Sequence, residues 1–195
     1  MEGARATKDR ASTAQEDRKF QELILYLSSI CANDETYGSV KLNKLLFNID
    51  FQAYSDLGHS ITGQEYAKRQ QGPCPRRLLA VREQLEAAGA LRMEETQFRG
   101  YLQKRPVAQR EPDLSFFTDE ERELIDGVVD HWWGATGTTM SDTSHKFVGW
   151  QLAREGETIP YEVALVQVMR PTREEIEWAR GLEPQAKAYL LRKAV

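Results

Sequence analysis

Three histidines and two cysteines are the side chains of this 195-residue chain best suited to nucleophilic or metal chemistry. His59 stands in a turn-forming run, His131 and His145 on helical stretches, and no two have the i, i+4 spacing that aims two imidazoles at one ion. Asp142 and His145 fall at i and i+3, on one side of a helix, with Thr143 and Ser144 between them. A serine hydrolase also needs its nucleophile on a tight elbow such as Gly-x-Ser-x-Gly, and the chain has none. The simpler role for His145 is a half-buried ring that donates to a backbone carbonyl and joins two helices. Neither a Gly-x-x-x-x-Gly-Lys-Ser/Thr loop nor a Gly-x-Gly-x-x-Gly turn is present to cradle phosphate. Paired carboxylates occur only where helix caps or solvent explain them. The expectation is a non-enzyme with no catalytic residue, no metal site and no cofactor. A hydrolase built on His145 ranks last among the readings.

Charge offers a second kind of chemistry. The net charge is −4, yet residues 64–110 carry +5 and residues 111–142 carry −8. Adjacent segments of opposite sign attract each other within a fold or present one face to a partner, and internal balance is the expectation. Arg76, Arg77 and Arg82 on a helix, followed by Arg99, Lys104 and Arg105 on a hairpin, also have the order of a recognition helix and wing. That makes a DNA-binding regulator the alternative reading. Pro73 and Pro75 occupy the place where the first helix of a helix-turn-helix should stand.

These residues need elements to hold them. The richest is residues 40–57. There Leu42, Leu45, Leu46, Ile49, Ala53 and Leu57 make one helical stripe, and Phe47, Phe51 and Tyr54 a second. A helix apolar over so wide an arc is packed on more than one side and should be central, with Ser39 as N-cap and Gly58 as the left-handed stop. Before it, Phe20, Leu23, Ile24, Leu27, Ile30 and Cys31 predict a helix from about Gln15 to Cys31. Glu65–Gln71 is a short extended segment. A helix follows from about Pro75 to Ala88, with Leu78, Leu79, Val81 and Leu85 inward and Gly89 as its stop. Residues 90–95 and 98–107 then form a hairpin that turns near Thr96-Gln97 or Arg99-Gly100. Thr118-Asp119-Glu120-Glu121 is a capping box for a helix reaching about Trp133. Ser141 is expected to cap another helix towards Ala153. Residues 162–169 fit a strand or a short helix, and Thr172 to Glu175 form a second capping box. Trp132, Trp133, Trp150 and Trp178 are expected as packed mass.

Composition is ordinary for a globular chain, 41% apolar and 29% charged, and no apolar run reaches the length of a membrane span. The first 20 residues lack the apolar core of a secretory signal, and Cys31 and Cys74 read as reduced thiols. A cytoplasmic protein is the expectation.

Lys41-Leu42-Asn43-Lys44-Leu45-Leu46-Phe47, Asp50, Tyr54, Gly58, Ile61-Thr62-Gly63 and Gly72-Pro73-Cys74-Pro75, in that order, resemble the signature of the Panacea-domain family of SocA-like antitoxins, often phage-associated. Ser141-Asp142-Thr143-Ser144-His145 and Trp150 resemble its second block, so the likeness covers roughly residues 40–150. The resemblance implies a protein that binds and neutralises a cognate toxin, in at least one relative by delivering it to a AAA+ protease. Operator DNA is a further partner, since antitoxins commonly repress their own operons; no membrane partner is expected.

The motif residues Lys41, Leu42, Leu45, Leu46, Phe47, Asp50, Tyr54, Gly58, Thr62, Gly63, Gly72, Pro73, Pro75, His145 and Trp150 are expected to build the scaffold. Lys44, Asn48 and Asp56 on the polar flank, with Lys68, Arg69, Arg76 and Arg77 near the Gly-Pro turn, are the expected toxin contacts. The fold expected is mainly α (α+β), about six to seven helices with one small antiparallel hairpin. Residues 1–15 are expected as a flexible leader, 16–170 as the domain with its hairpin near 90–107, and 171–195 as a helical extension.

Overall fold

Helix α2 (Ser39–Leu57) occupies the centre of the chain's computed structural model, which describes residues 2–166, with side chains from Glu16 onward. It touches α1 (Glu2–Ile30), α4 (Asp119–His131) and α5 (Gly137–Ser144), together with strands β2 (Gly72–Pro75) and β4 (Tyr101–Ala108). Its two apolar stripes serve two cores, as their angular spread requires. Leu42, Leu45, Leu46, Ile49 and Ala53 join Phe20, Leu23, Ile24 and Leu27 of α1, Val81 and Leu85 of α3 (Leu78–Ala87), and Ile125, Val128 and Val129 of α4. Phe47 and Phe51 turn the other way, onto Tyr66, Ile159, Phe147 and Tyr161. Rings in that second cluster meet mostly edge to face, Phe51 and Tyr66 at 5.3 Å for example, the arrangement their quadrupoles favour. Tyr54 extends the stripe by stacking on Tyr161 at 5.5 Å.

Two small antiparallel sheets replace the single expected hairpin. Strands β3 (Leu91–Phe98) and β4 are the predicted one, and Arg99 (φ 48°) and Gly100 (φ 86°) make its turn. Two consecutive positive φ values match the right-handed twist of the flanking strands. The second sheet has the order β2-β1-β5, from β1 (Tyr66–Arg69), β2 and the two-residue β5 (Thr158–Ile159). Its existence was obscured by Pro73 and Pro75, which read as a break. Both prolines lie on β2, an edge strand, where a missing N–H leaves no gap in the ladder.

Other boundaries moved for identifiable reasons. Helix α1 begins at Glu2, upstream of the predicted start. Gly38, not Ser39, occupies the N-cap of α2, and the Ser39 hydroxyl donates instead to the Lys104 carbonyl at 3.0 Å. Leu79, expected inward on α3, is 59% exposed. The helix expected from Ser141 is two: Thr136 caps α5 through Thr139 N–H, and the chain breaks before α6 (Val148–Leu152). Of the two forms open for residues 162–169, the short helix is the one found, a 3-10 helix at Tyr161–Leu165, and residues 167–169 lie outside the described residues. Thr118 and Glu121 do form the capping box, and Gly58 (φ 79°) does stop α2. The Thr172 to Glu175 box and Trp178 lie outside the described residues.

The two charged segments interact through Arg110 and Asp113 but form no direct ion pair among the described residues. Among the described residues, the ion pairs of the basic stretch go to acids outside the 111–142 segment, as in Arg77–Asp17, Arg110–Glu22 and Arg76–Glu65. Glu121 of the acidic stretch pairs with Lys19 of α1 at 2.6 Å.

One buried polar node joins three parts of the chain. Lys41 Nζ donates to Asp34 Oδ2 (2.5 Å), Thr36 Oγ1 (2.9 Å) and the carbonyls of Trp132 (2.7 Å) and Ala135 (3.0 Å). Asp34 also accepts from Thr36 N–H and Oγ1 and from Gly134 N–H. Burial acts to raise the Asp34 pKa, but hydrogen bonds from Lys41 and Thr36 and the Lys41 charge hold it below the usual carboxylate range. The node ties the α1–α2 loop and the start of α2 to the end of α4, where exposed carbonyls carry the negative end of the helix dipole. Removing the cation strands a carboxylate in a dry site. Lys41→Met is therefore expected to lower unfolding free energy by about 3–5 kcal/mol in urea denaturation at neutral pH. Adding Asp34→Asn should recover at least about 1 kcal/mol, because the uncompensated charge is gone.

Candidate functional site

The remaining polar motif residues gather along α2 and where the β1–β2 turn meets it. Asp50 is fully buried, and accepts from Thr62 N–H (2.8 Å), Thr62 Oγ1 (2.5 Å) and Tyr66 OH (2.8 Å). Desolvation raises the Asp50 pKa, opposed by these donors. Its oxygens therefore hold the Ile61-Thr62-Gly63 turn and the start of β1 against the helix. A carboxylate with this many internal partners has no free lone pair aimed at solvent.

Lys44 departs most from expectation. One polar residue on an otherwise apolar arc reads as a solvent-facing flank, but Lys44 is 0% exposed, because the β1–β2 turn closes over it. Its ammonium donates to the Gln71 carbonyl at the tip of that turn. Burial pushes the Lys44 pKa down to about 8, against the opposing charge interaction with Cys74. Asn43 reaches the same hairpin by donating to the Pro73 carbonyl at 3.1 Å. Gly72, next to Gln71, has φ 107°, and a Cβ there would collide with Lys44 Nζ and Ser144 Oγ. Glycine is required here twice, by backbone conformation and by space.

The second motif block seals this end of the molecule. His145, at the C-cap of α5, stacks on Trp150 with centroids 4.2 Å apart and rings inclined by 20°. Lys68 Nζ lies 4.2 Å from the Trp150 ring centroid, and the indole N–H donates to the Arg69 carbonyl at 3.0 Å. His145 was expected to hold its place by donating to a carbonyl; instead its buried Nε2 has no hydrogen-bond partner among the described residues, and stacking positions the ring. Asp142 is exposed and makes no hydrogen bond to His145 among the described residues. That geometry lacks the base–orienter contact of a triad. Among the described residues, no three of His, Cys, Asp and Glu converge as a metal site.

The residues expected to touch a partner differ in accessibility and in internal contacts. Asn48 is half-buried and donates to the Lys44 carbonyl at 2.7 Å. Lys68 lies on Trp150, beside exposed Arg69. Arg76 donates to the Gly156 carbonyl (2.8 Å) and Thr158 Oγ1 (2.9 Å), binding the exposed side of β5. Arg77 instead pairs with Asp17 of α1, and Asp56 is exposed near the far end of α2. Arg105, assigned to a wing in the regulator reading, donates to the carbonyls of Cys31, Ala32, Asp34 and Tyr37 and closes the C-terminal end of α1.

The sequence reading missed the exposed apolar residues Val40, Tyr101, Leu102 and Trp133. A signal existed for two of them. Strand side chains alternate between faces, so the adjacent Tyr101 and Leu102 cannot both point into one core. Trp133 was expected as packed mass, but it lies beyond the last turn of α4 and is 48% exposed.

A family model described as antitoxin SocA-like, Panacea domain, matches residues 42–151. No curated protein and no solved structure matches the chain. Among the described residues no helix is long and apolar enough to cross a membrane.

Two outcomes are expected from this geometry. Gly72→Ala should destabilise the protein by at least about 2 kcal/mol, since it combines a strained φ with a collision, whereas Gly58→Ala, with nothing within 4 Å, should cost about 1 kcal/mol. Denaturant titration reads both. Lys44 is also expected to shape the alkaline stability profile. Its pKa falls from the ordinary 10.5 unfolded to about 8 folded, so between these values the unfolded chain binds more protons and stability rises with pH. Lys44→Met removes that contribution. Wild-type unfolding free energy minus that of Lys44→Met should therefore increase from pH 8 to pH 10.5.

Proposed function

Because the chain belongs to the SocA-like, Panacea-domain antitoxin family, we propose that it binds a cognate toxin protein and neutralises it by direct contact. The match over residues 42–151 carries this reading. The disposition of the motif supports it: Lys41, Lys44, Asp50 and Thr62 are all buried and occupied by internal partners, leaving the exterior to vary with the partner. Neutralisation by occlusion needs only an interface, about 800 Å² on each partner with a few aromatic or arginine anchors. We place the protein in the cytoplasm, with residues 16–170 as the domain, 1–15 as its leader and 171–195 as an extension. Among the expected contact residues, Lys44 leaves the proposed interface because it is inaccessible. Asp56, Lys68, Arg69 and Arg76 keep exposed or half-exposed positions. The regulator reading loses Arg105 and Arg77 to internal contacts.

Co-expression tests the proposal. Expressed alone, the product of the adjacent gene should arrest growth, and co-expression of this chain should restore it, with the two proteins co-purifying. Occlusion leaves the toxin's level unchanged, whereas delivery to a AAA+ protease makes it fall in an ATP-dependent way. If all adjacent gene products are harmless alone, the antitoxin reading is wrong.

A further inference from the structure

The β3–β4 turn and the N-terminal ends of α2 and α5 enclose a groove of about 650 Å³. Val40, Phe98, Tyr101 and Leu102 supply its apolar surface, and Arg99 and Lys104 its exposed charge. Tyr101 is 76% exposed, Leu102 58% and Val40 42%, which places three large apolar side chains in water around one concavity. Scattered apolar exposure is ordinary, but a cluster lining a groove marks an interaction surface.

We propose that this groove seats an acidic segment of the toxin anchored by an apolar side chain, an inference that rests on the antitoxin reading. Charge selects the occupant. The chain holds 30 acidic residues and a net charge of −4, yet no Asp or Glu lines the groove. Lys41, at its base, is already paired with Asp34. Arg99 and Lys104 are exposed on the groove, Arg99 over the Phe98 ring and Lys104 opposite Glu95 of the neighbouring strand, a residue that does not line it. The N-terminal ends of α2 and α5 add the positive end of two helix dipoles. A carboxylate-bearing segment therefore meets complementary potential across the rim. A surface built only to hold phosphate needs cations and no aliphatic anchor, whereas Val40 and Leu102 are exposed here beside Tyr101.

The groove is also preformed. Gln103 Nε2 donates to the Thr36 carbonyl at 3.1 Å and Ser39 Oγ to the Lys104 carbonyl at 3.0 Å, fastening the hairpin to the α1–α2 loop and to α2. Close approach at its base uses two glycines. A Cβ on Gly38 would meet the Gln103 side chain at 2.7 Å, and one on Gly137 would meet Val40 at 2.8 Å. A partner entering such a site orders little of this chain, which keeps the entropic cost of association low.

The test is calorimetry and stopped-flow binding between the intact chain and the purified product of the adjacent gene. The double variant Tyr101→Ser/Leu102→Ser is expected to weaken binding about 30-fold or more, as loss of a central anchor does. Lys104→Glu should slow association about tenfold at low salt while leaving dissociation nearly unchanged. Leu152→Ser, equally exposed but outside the groove, should leave affinity unchanged. All three sites are exposed, so thermal melts within a few degrees of wild type establish that the variants fold. If the wild type and Tyr101→Ser/Leu102→Ser bind alike, the groove is overturned while the antitoxin reading stands. If the wild type does not bind at all, the antitoxin reading falls and takes the groove with it. If promoter DNA competes with the toxin at low salt and Lys104→Glu abolishes that competition, the groove is a nucleic-acid surface and the inference is overturned.

Discussion

Helix α2 buries two lysines and an aspartate, and the surrounding structure is arranged to satisfy them. An unpaired charge in such a site costs several kcal/mol, so each demands a partner from another element. Asp34 and the end of α4 serve Lys41, the β1–β2 turn serves Lys44, and Thr62 and Tyr66 serve Asp50. Apolar surface alone would let neighbouring elements slide over the helix. These directional contacts fix the loops at defined points along it, and the two apolar stripes then close the cores on either side.

This arrangement explains why the family signature is dense along α2 yet contributes little to its exterior. Within it Asp50 and Thr62 constrain each other, as do Lys44 and Gly72: the glycine makes room for the lysine, and the lysine holds the carbonyl next to the glycine. A set coupled in this way resists piecemeal change. The exposed side chains of Arg69, Tyr101 and Leu102 belong to none of these buried contacts.

Much of this was legible in the sequence where local rules act alone. The Thr118–Glu121 capping box, the Gly58 stop, the twin stripes of α2 and the β3–β4 hairpin depend on spacing and backbone geometry within a few residues. What was not legible depends on distant parts of the chain. Lys44 looks solvent-facing until the β1–β2 turn folds over it, and that sheet is invisible until Ile159 and Thr158 pair with Tyr66 and Ala67. Pro73 and Pro75 disguise a strand because their meaning depends on whether it lies at an edge. His145 lies where a catalytic histidine was conceivable, but only the placement of Trp150 shows the ring stacked. For the proposed partner face, the legible sign is the adjacency of Tyr101 and Leu102 on a strand, whose alternating side chains cannot both enter one core.

The central claim is that the polar motif faces inward and the partner is met elsewhere. Amide hydrogen exchange of this chain, alone and saturated with its toxin, tests it most directly, because a bound partner slows exchange where it covers backbone or rigidifies it. New protection is predicted in residues 38–41, 98–104 and 136–138. Exchange in residues 61–64 and 71–73, where the motif's inward contacts lie, should be the same in both states. Protection concentrated in residues 61–64 and 71–73, with none around the β3–β4 turn, would contradict the account and make the motif itself the recognition surface.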